Sequence, residues 1–191
     1  MDYQIKANEW KKSPLLSEKE KQELDTMSEN DLQEAFYTNL TFGTGGMRGI
    51  MGVGTNRMNV ITITKATLGF ARYLLNNEEN AKERGVVIAH DNRFNHNEFQ
   101  IAAANVLTSL GIKVYLFDAL RPTPELSFAV RFLNACGGIN ITASHNPKQY
   151  NGYKIYNSEG NQLILEQSNK VMAEIALIEN IQREDLNAVE K

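Results

Sequence analysis

Gly85-Val86-Val87-Ile88-Ala89-His90, running on through Asp91-Asn92-Arg93 to Leu116, is the stretch whose reading decides the fold. It opens with a short unbroken apolar run behind a glycine, the pattern of a strand buried on both faces. Asn97 then stands where a helix cap belongs. Phe99, Ala102, Ala103, Val106, Leu107 and Leu110 follow it at i, i+3 and i+4, the spacing of one helix face. Gly111 is placed to stop that helix. Ile112, Val114 and Leu116 alternate as a second strand.

The same grammar extends in both directions. Thr123-Pro124 is a cap followed by a first-turn proline, and Leu126, Ala129, Val130 and Leu133 give the helix behind it one apolar face. Gly138-Ile139-Asn140-Ile141-Thr142 reads as a further strand, Asn151-Gly152 as a turn, Tyr153 to Tyr156 as extended, and roughly Glu166 to Glu179 as a closing helix with Val171, Ile175 and Ile178 inward. Upstream, Ile63, Ala66, Phe70 and Leu74 keep helical spacing. Six glycines between Gly43 and Gly54 are too many for a helix or strand interior and predict a loop. Residues 1–40 read as helical, with a capping box at Ser17 and Glu20 and a second start at Ser28 and Asp31. Strand, helix, strand, helix, strand predicts an α/β fold. We expect a three-layer α/β/α sandwich with a mixed, largely parallel sheet, plus N-terminal helices. The expected division is an arm at 1–40 and a domain at 41–191.

Composition narrows the function. A net charge of -3 favours neither nucleic acid nor a membrane surface, so an anion site has to be local. The polar N-terminus has no signal-peptide core, and no run approaches the roughly 18 apolar residues of a membrane span. A single cysteine, Cys136, excludes an internal disulfide and reads as a buried structural thiol. The expected location is the cytoplasm.

In α/β sheets ligands collect beyond the carboxyl ends of the strands. That rule selects His90 to Arg93, Asp118 to Arg121, and Ser144-His145-Asn146. Pro147 restricts Asn146 to extended geometry, which puts Ser144 at the tip of a fixed turn. A hydroxyl there, with free backbone amides around it, can accept and hold a phosphoryl group. The same residues also suit a polar turn that satisfies only its own backbone. Adjacent side chains on extended backbone point apart, so adjacency alone does not make His145 a base for Ser144. Phe42-Gly43-Thr44-Gly45-Gly46-Met47-Arg48-Gly49 offers consecutive amides and a planar guanidinium suited to phosphate, or equally a plain flexible loop. It matches neither the dinucleotide fingerprint nor the Walker loop. Lys154 reads either as a solvated strand residue or as a charge facing a phosphate. Asp91 and Arg93 suit an ion pair bracing the site. His90 and His96 lack partners at metal-ligand spacing.

Thr142-Ala143-Ser144-His145-Asn146-Pro147 with Asn151-Gly152-Tyr153-Lys154 resembles the active-serine region of the α-D-phosphohexomutases. The glycine/arginine segment 42–49, about a hundred residues earlier, is similar to that family's N-terminal signature. The run through Gly54-Thr55-Asn56-Arg57-Met58-Asn59 resembles the phosphoglucomutase/phosphopentomutase branch. The likeness is strong from about residue 40 onward and weaker before it. It implies that residues 41–191 are the first domain and carry the phosphoserine loop. Ser144 would be the phosphoserine that exchanges a phosphoryl group between hexose 1-phosphate and hexose 6-phosphate through a bisphosphate intermediate. Thr44, Arg48, His145 and Lys154 would join Ser144 in substrate binding. One phosphate oxygen on Ser144 would ligate Mg²⁺, with the remaining ligands in another domain, and glucose 1,6-bisphosphate would be the activator or intermediate.

The family's Asp-Gly-Asp-x-Asp-Arg metal loop, sugar-recognition loop and Arg-x-Ser-Gly-Thr phosphate loop are absent from this sequence. The chain is therefore expected to need the missing domains of the same polypeptide as partners, and to be inactive in isolation. A serine-phosphoenzyme phosphatase and a non-catalytic sugar-phosphate-binding module are the alternatives.

Overall fold

The computed structural model describes residues 2–178 and 181. Three helices open the chain: α1 (Asp2–Lys12), α2 (Glu18–Thr26) and α3 (Glu29–Phe36). The Ser17–Glu20 capping box forms, and Ser28 caps α3 by accepting from the Asp31 N–H. These helices bury Tyr3, Ala7, Leu24, Ala35 and Phe36 together with Val53, and Trp10 meets Phe36 edge-on at 5.5 Å. The arm thus has an apolar cluster of its own, closed by residues from the following segment.

The rest of the chain is β1 (Gly46–Ile50), α4 (Val60–Asn77), the short α5 (Ala81–Arg84), β2 (Val86–His90), α6 (His96–Ser109), β3 (Val114–Leu116), α7 (Thr123–Phe132), β4 (Gly137–Ile141), β5 (Tyr150–Asn157) and α8 (Leu165–Ala176). The sheet is mixed, in the order β1-β5-β4-β2-β3. β3, β2 and β4 run parallel; β5 and β1 are added antiparallel. Alternation along β2 sorts the layers. Val86 and Ile88 pack with Phe70, Phe99 and Leu107, from α4 and α6. Val87 and Ala89 pack with Leu126 and Val130 of α7 on the opposite face. Both faces are covered, so β2 is buried along its whole length, as its unbroken apolar run requires. Cys136 is buried in the core with its thiol donating to the Gly85 carbonyl at 3.0 Å, at the end of α5; burial pushes the thiol up to about 11, consistent with a structural role.

Four local expectations are corrected. The glycine-rich segment does not stay a loop: Gly46 and Gly49 lie in β1, an edge strand. A β-carbon at Gly46 would sit 2.2 Å from the Tyr153 carbonyl, so the glycine is what lets β1 approach β5. Asn151-Gly152 is not a turn but lies inside β5, paired on both sides. Asn97 does not cap α6; it lies inside the first turn and accepts from Gln100, while Asn95 holds the cap position at φ 59°. Thr123 is the first residue of α7 rather than its cap, and its hydroxyl accepts from Asn140. α8 ends at Ala176, and Ile178 is buried just beyond it; Glu179 lies outside the described residues.

Candidate active site

The carboxyl ends of β2 and β4 place two polar segments side by side. The Asp91 N–H donates to the Ile141 carbonyl at 3.2 Å, which brings the residues after β2 against the chain leaving β4. Asp91 then accepts from the Thr142 hydroxyl at 2.5 Å, and the Thr142 oxygen accepts in turn from the Ser144 N–H at 3.0 Å. Arg93 completes the brace: the expected ion pair with Asp91 is present but long, and most of the guanidinium's bonds go elsewhere. Its Nε is 4.0 Å from Asp91, while its terminal nitrogens donate to the carbonyls of Ser144, Asn146, Pro147 and Tyr150 at 2.7 to 3.2 Å.

Ser144 sits at the tip of this loop, exposed, with φ +55°. The left-handed region costs a non-glycine residue roughly 1–2 kcal/mol, which the surrounding hydrogen bonds have to offset. This geometry overturns the expectation that adjacent side chains would diverge. Because Ser144 is not extended, its Oγ and the His145 Nδ1 lie 3.3 Å apart.

The glycine/arginine segment arrives through β1. Gly46 pairs with Lys154 and Arg48 with Gly152, so Arg48 and Lys154 are diagonal neighbours on one face of the sheet. Arg48 reaches across to the Ser144 loop and donates to the Asn146 side chain at 2.6 Å. Lys154 is half-buried, and its side chain has neither a hydrogen bond nor an ion pair among the described residues. Burial, and then the Arg48 charge, hold its ammonium below the ordinary lysine range. Neither Arg48 nor Lys154 has a carboxylate partner among the described residues, so two unneutralised cations share one face of the sheet, and Arg48 is bonded to the Ser144 loop through Asn146. Thr44 is exposed on the turn that Gly43 and Gly46 close, and no bond joins it to the Ser144 loop.

Since a lowered pKa leaves more free amine at a given pH, Lys154 is expected to acylate faster than exposed lysines at about pH 8. Arg48→Gln should raise its pKa and slow it. Competitive labelling read by peptide mass spectrometry checks this, and a Lys154 rate unchanged by Arg48→Gln would count against the coupling.

Several residues escaped the sequence reading. Thr142 is buried and relays Asp91 to Ser144. Asn140 is buried on the same face of β4, opposite Lys154 in register, with its Oδ1 lacking a partner among the described residues. A signal for both existed: 140 and 142 place polar residues at period two within an otherwise apolar strand. Asp118 and Arg121 pair with each other, and Arg121 also with Glu125. This segment approaches the brace through the Arg121 N–H, which donates to the His90 carbonyl at 3.3 Å. His90 and His96 stack at 4.4 Å rather than facing the serine.

Fold and loop together define a class: an α/β/α domain presenting a serine in a braced turn at a strand end, with an unneutralised arginine bonded to that turn. Residues 39–182 match the family model described as phosphoglucomutase/phosphomannomutase, alpha/beta/alpha domain I, and the chain belongs to that family as its first domain. It is 48% identical over 144 residues to the phosphoglucomutase of Staphylococcus epidermidis, covering 75% of this chain and 26% of that protein. It is 43% identical over 161 residues to the phosphopentomutase of Mus musculus, covering 81% of this chain and 26% of that one. A solved Thermus thermophilus protein assigned as a phosphomannomutase superposes with a TM-score of 0.64 at 36% identity, over 72% of this chain and 30% of that one. The chain thus spans only about a quarter to a third of the length of these relatives.

Proposed function

We propose that this chain is the phosphoserine-carrying domain of a sugar-phosphate mutase, dividing at about residue 40 into a helical arm and a catalytic α/β domain. The observation that carries the reading is Ser144, held exposed at a strand end in a loop to which Arg48 is bonded through Asn146, with Lys154 diagonal to Arg48 and neither cation neutralised by a carboxylate among the described residues. Phosphoryl transfer needs little covalent help from a protein. It needs positioning, and positive charge where the phosphoryl oxygens lie.

In the proposed cycle the phosphoryl group on Ser144 passes to a free hydroxyl of a hexose monophosphate, giving a bisphosphate such as glucose 1,6-bisphosphate. The serine then recovers a phosphoryl group from the other position. Arg48 holds the loop through Asn146 and faces the developing charge. Lys154, with its lowered pKa, is suited to give up and regain a proton near the sugar hydroxyl. Thr44 and His145 would line the substrate's approach.

The donor set limits what this chain offers a metal. No group of three or more His, Cys, Asp or Glu side chains converges among the described residues, and Asp91 is already engaged by Thr142 and the Arg93 N–H. Mg²⁺ would therefore find one ligand here, a phosphate oxygen on Ser144, and the others outside the described residues. Bound there, it would neutralise charge on the transferring group. Partners would be the sugar phosphate and the remaining domains of a longer polypeptide, in the cytoplasm. Among the described residues no helix is long and apolar enough to cross a membrane.

The test is to incubate the complete polypeptide that contains this chain with glucose 1,6-bisphosphate, map the phosphate by peptide mass spectrometry, and chase it with glucose 1-phosphate. Phosphate on Ser144 that moves to the sugar is the expected result. Release as free phosphate would favour the phosphatase alternative. Sugar-phosphate binding with no phosphoserine would favour the binding module. Either would overturn the proposal.

A further inference from the structure

The Arg93 guanidinium is mostly buried, yet it donates to four main-chain carbonyls and, among the described residues, faces one carboxylate, at 4.0 Å. Carbonyl dipoles aimed at one point repel one another unless a cation sits among them, and a planar guanidinium can bond several at once. Across a trans peptide the C=O and N–H point in opposite directions, and the chain has no cis bond among the described residues. Turning the Ser144 carbonyl towards Arg93 therefore turns the His145 N–H away from it. Turning the Pro147 carbonyl does the same to the Lys148 N–H, while the Asn146 carbonyl precedes Pro147, which has no N–H. Neither the His145 nor the Lys148 N–H has an acceptor among the described residues. On the other side of the loop, the chain from Asp91 through Thr142 fixes the Ser144 N–H inward.

We propose that Asp91, Thr142 and Arg93 are positioning residues that hold Ser144 left-handed, so that its hydroxyl and the His145 N–H face outward together. None of the three touches the reacting atoms. They act by committing every inward-facing group of the loop to a partner, leaving the outward N–H to meet a phosphate oxygen on Ser144. The proposal rests on Ser144 as the phosphate carrier, but its geometry can be tested without relying on transfer.

Phosphoserine is installed at position 144 by genetic encoding, and amide ¹H–¹⁵N spectra are compared with those of the serine form. A charge-assisted bond to phosphate should move the His145 amide proton downfield. Arg93→Ala and Thr142→Val should each lose most of that displacement while peaks from the far side of the sheet stay in place. Millimolar guanidinium should restore it to Arg93→Ala. Ammonium should not, and Arg93→Lys should not replace the arginine, because both offer a compact charge without the planar fork. If Arg93→Ala loses its dispersed spectrum, Thr142→Val carries the decision. A displacement that survives both substitutions overturns the positioning role and leaves the phosphoserine reading intact. No displacement in the unsubstituted chain also overturns the positioning role. Failure of the carrier reading would show separately, as absence of transfer from the bisphosphate.

Discussion

Ser144→Ala, made in the complete polypeptide that contains this chain, is expected to lower sugar-phosphate interconversion by on the order of 10⁴-fold or more while leaving the fold intact. In the proposed cycle the Ser144 hydroxyl is the group that accepts the phosphoryl group and returns it; without it, positioning and charge have nothing to act on. The fold should hold because the loop is not organised by that hydroxyl. Ser144 is fixed through its N–H, which donates to Thr142, and its carbonyl, which accepts from Arg93; both survive the substitution. What the alanine removes is the 3.3 Å approach of the hydroxyl to the His145 ring, at the surface. Stability is therefore expected to change by no more than about 0.5 kcal/mol. Steady-state turnover against thermal unfolding separates the two effects, and full turnover by the alanine variant would end the carrier reading.

Gly152→Ala is expected to do the reverse, removing stability first and the site with it. A β-carbon at 152 would stand 2.5 Å from the Thr142 carbonyl and 3.1 Å from that of Met47. Both obstacles are main chain in neighbouring segments, so neither can swing aside, and β4 or β1 has to move. A cost of about 3 kcal/mol is expected, the upper part of the range for overpacking. For a chain of this length that lowers the melting temperature by roughly 6–12 °C. Thr142 is the residue displaced, and it carries the bond to the Ser144 N–H, so the damage reaches the loop. Gly43→Ala is the control: its nearest neighbour would be 3.7 Å away, an ordinary contact. Equal melting temperatures for the two variants would show that the sheet absorbs the added methyl.

The parts of the fold legible in the sequence were those written in periodicity. Val86 to Ala89 had to be buried on both faces, and Phe99 to Leu110 had to show one face to the sheet; both hold. What misled were residues whose local signature is shared by two structures. Asn151-Gly152 is a strong turn pair, but β1 and β4 flank the strand it lies in, and two ladders outweigh the turn preference of one dipeptide. The glycines at 46 and 49 looked unfit for a strand, yet the absence of their side chains is what lets β1 lie close to β5 and Leu40 pack against Gly49. Asn97 had the chemistry of a cap, but the chain turns two residues earlier, at Asn95 in the left-handed region.

By itself the sequence determined the layers of the sandwich and the serine at a strand end, and it offered Arg48 and Lys154 as candidates for a phosphate site while leaving each an alternative reading. These follow from side-chain type and spacing, which are local properties. The tertiary structure alone decided that Arg48 and Lys154 lie diagonally on one face, that Ser144 takes a left-handed conformation beside His145, and that Arg93 grips carbonyls rather than only Asp91. Each depends on which strands pair and in what register. Register is fixed by burial across the whole sheet, and no window of sequence around any one of these residues contains it.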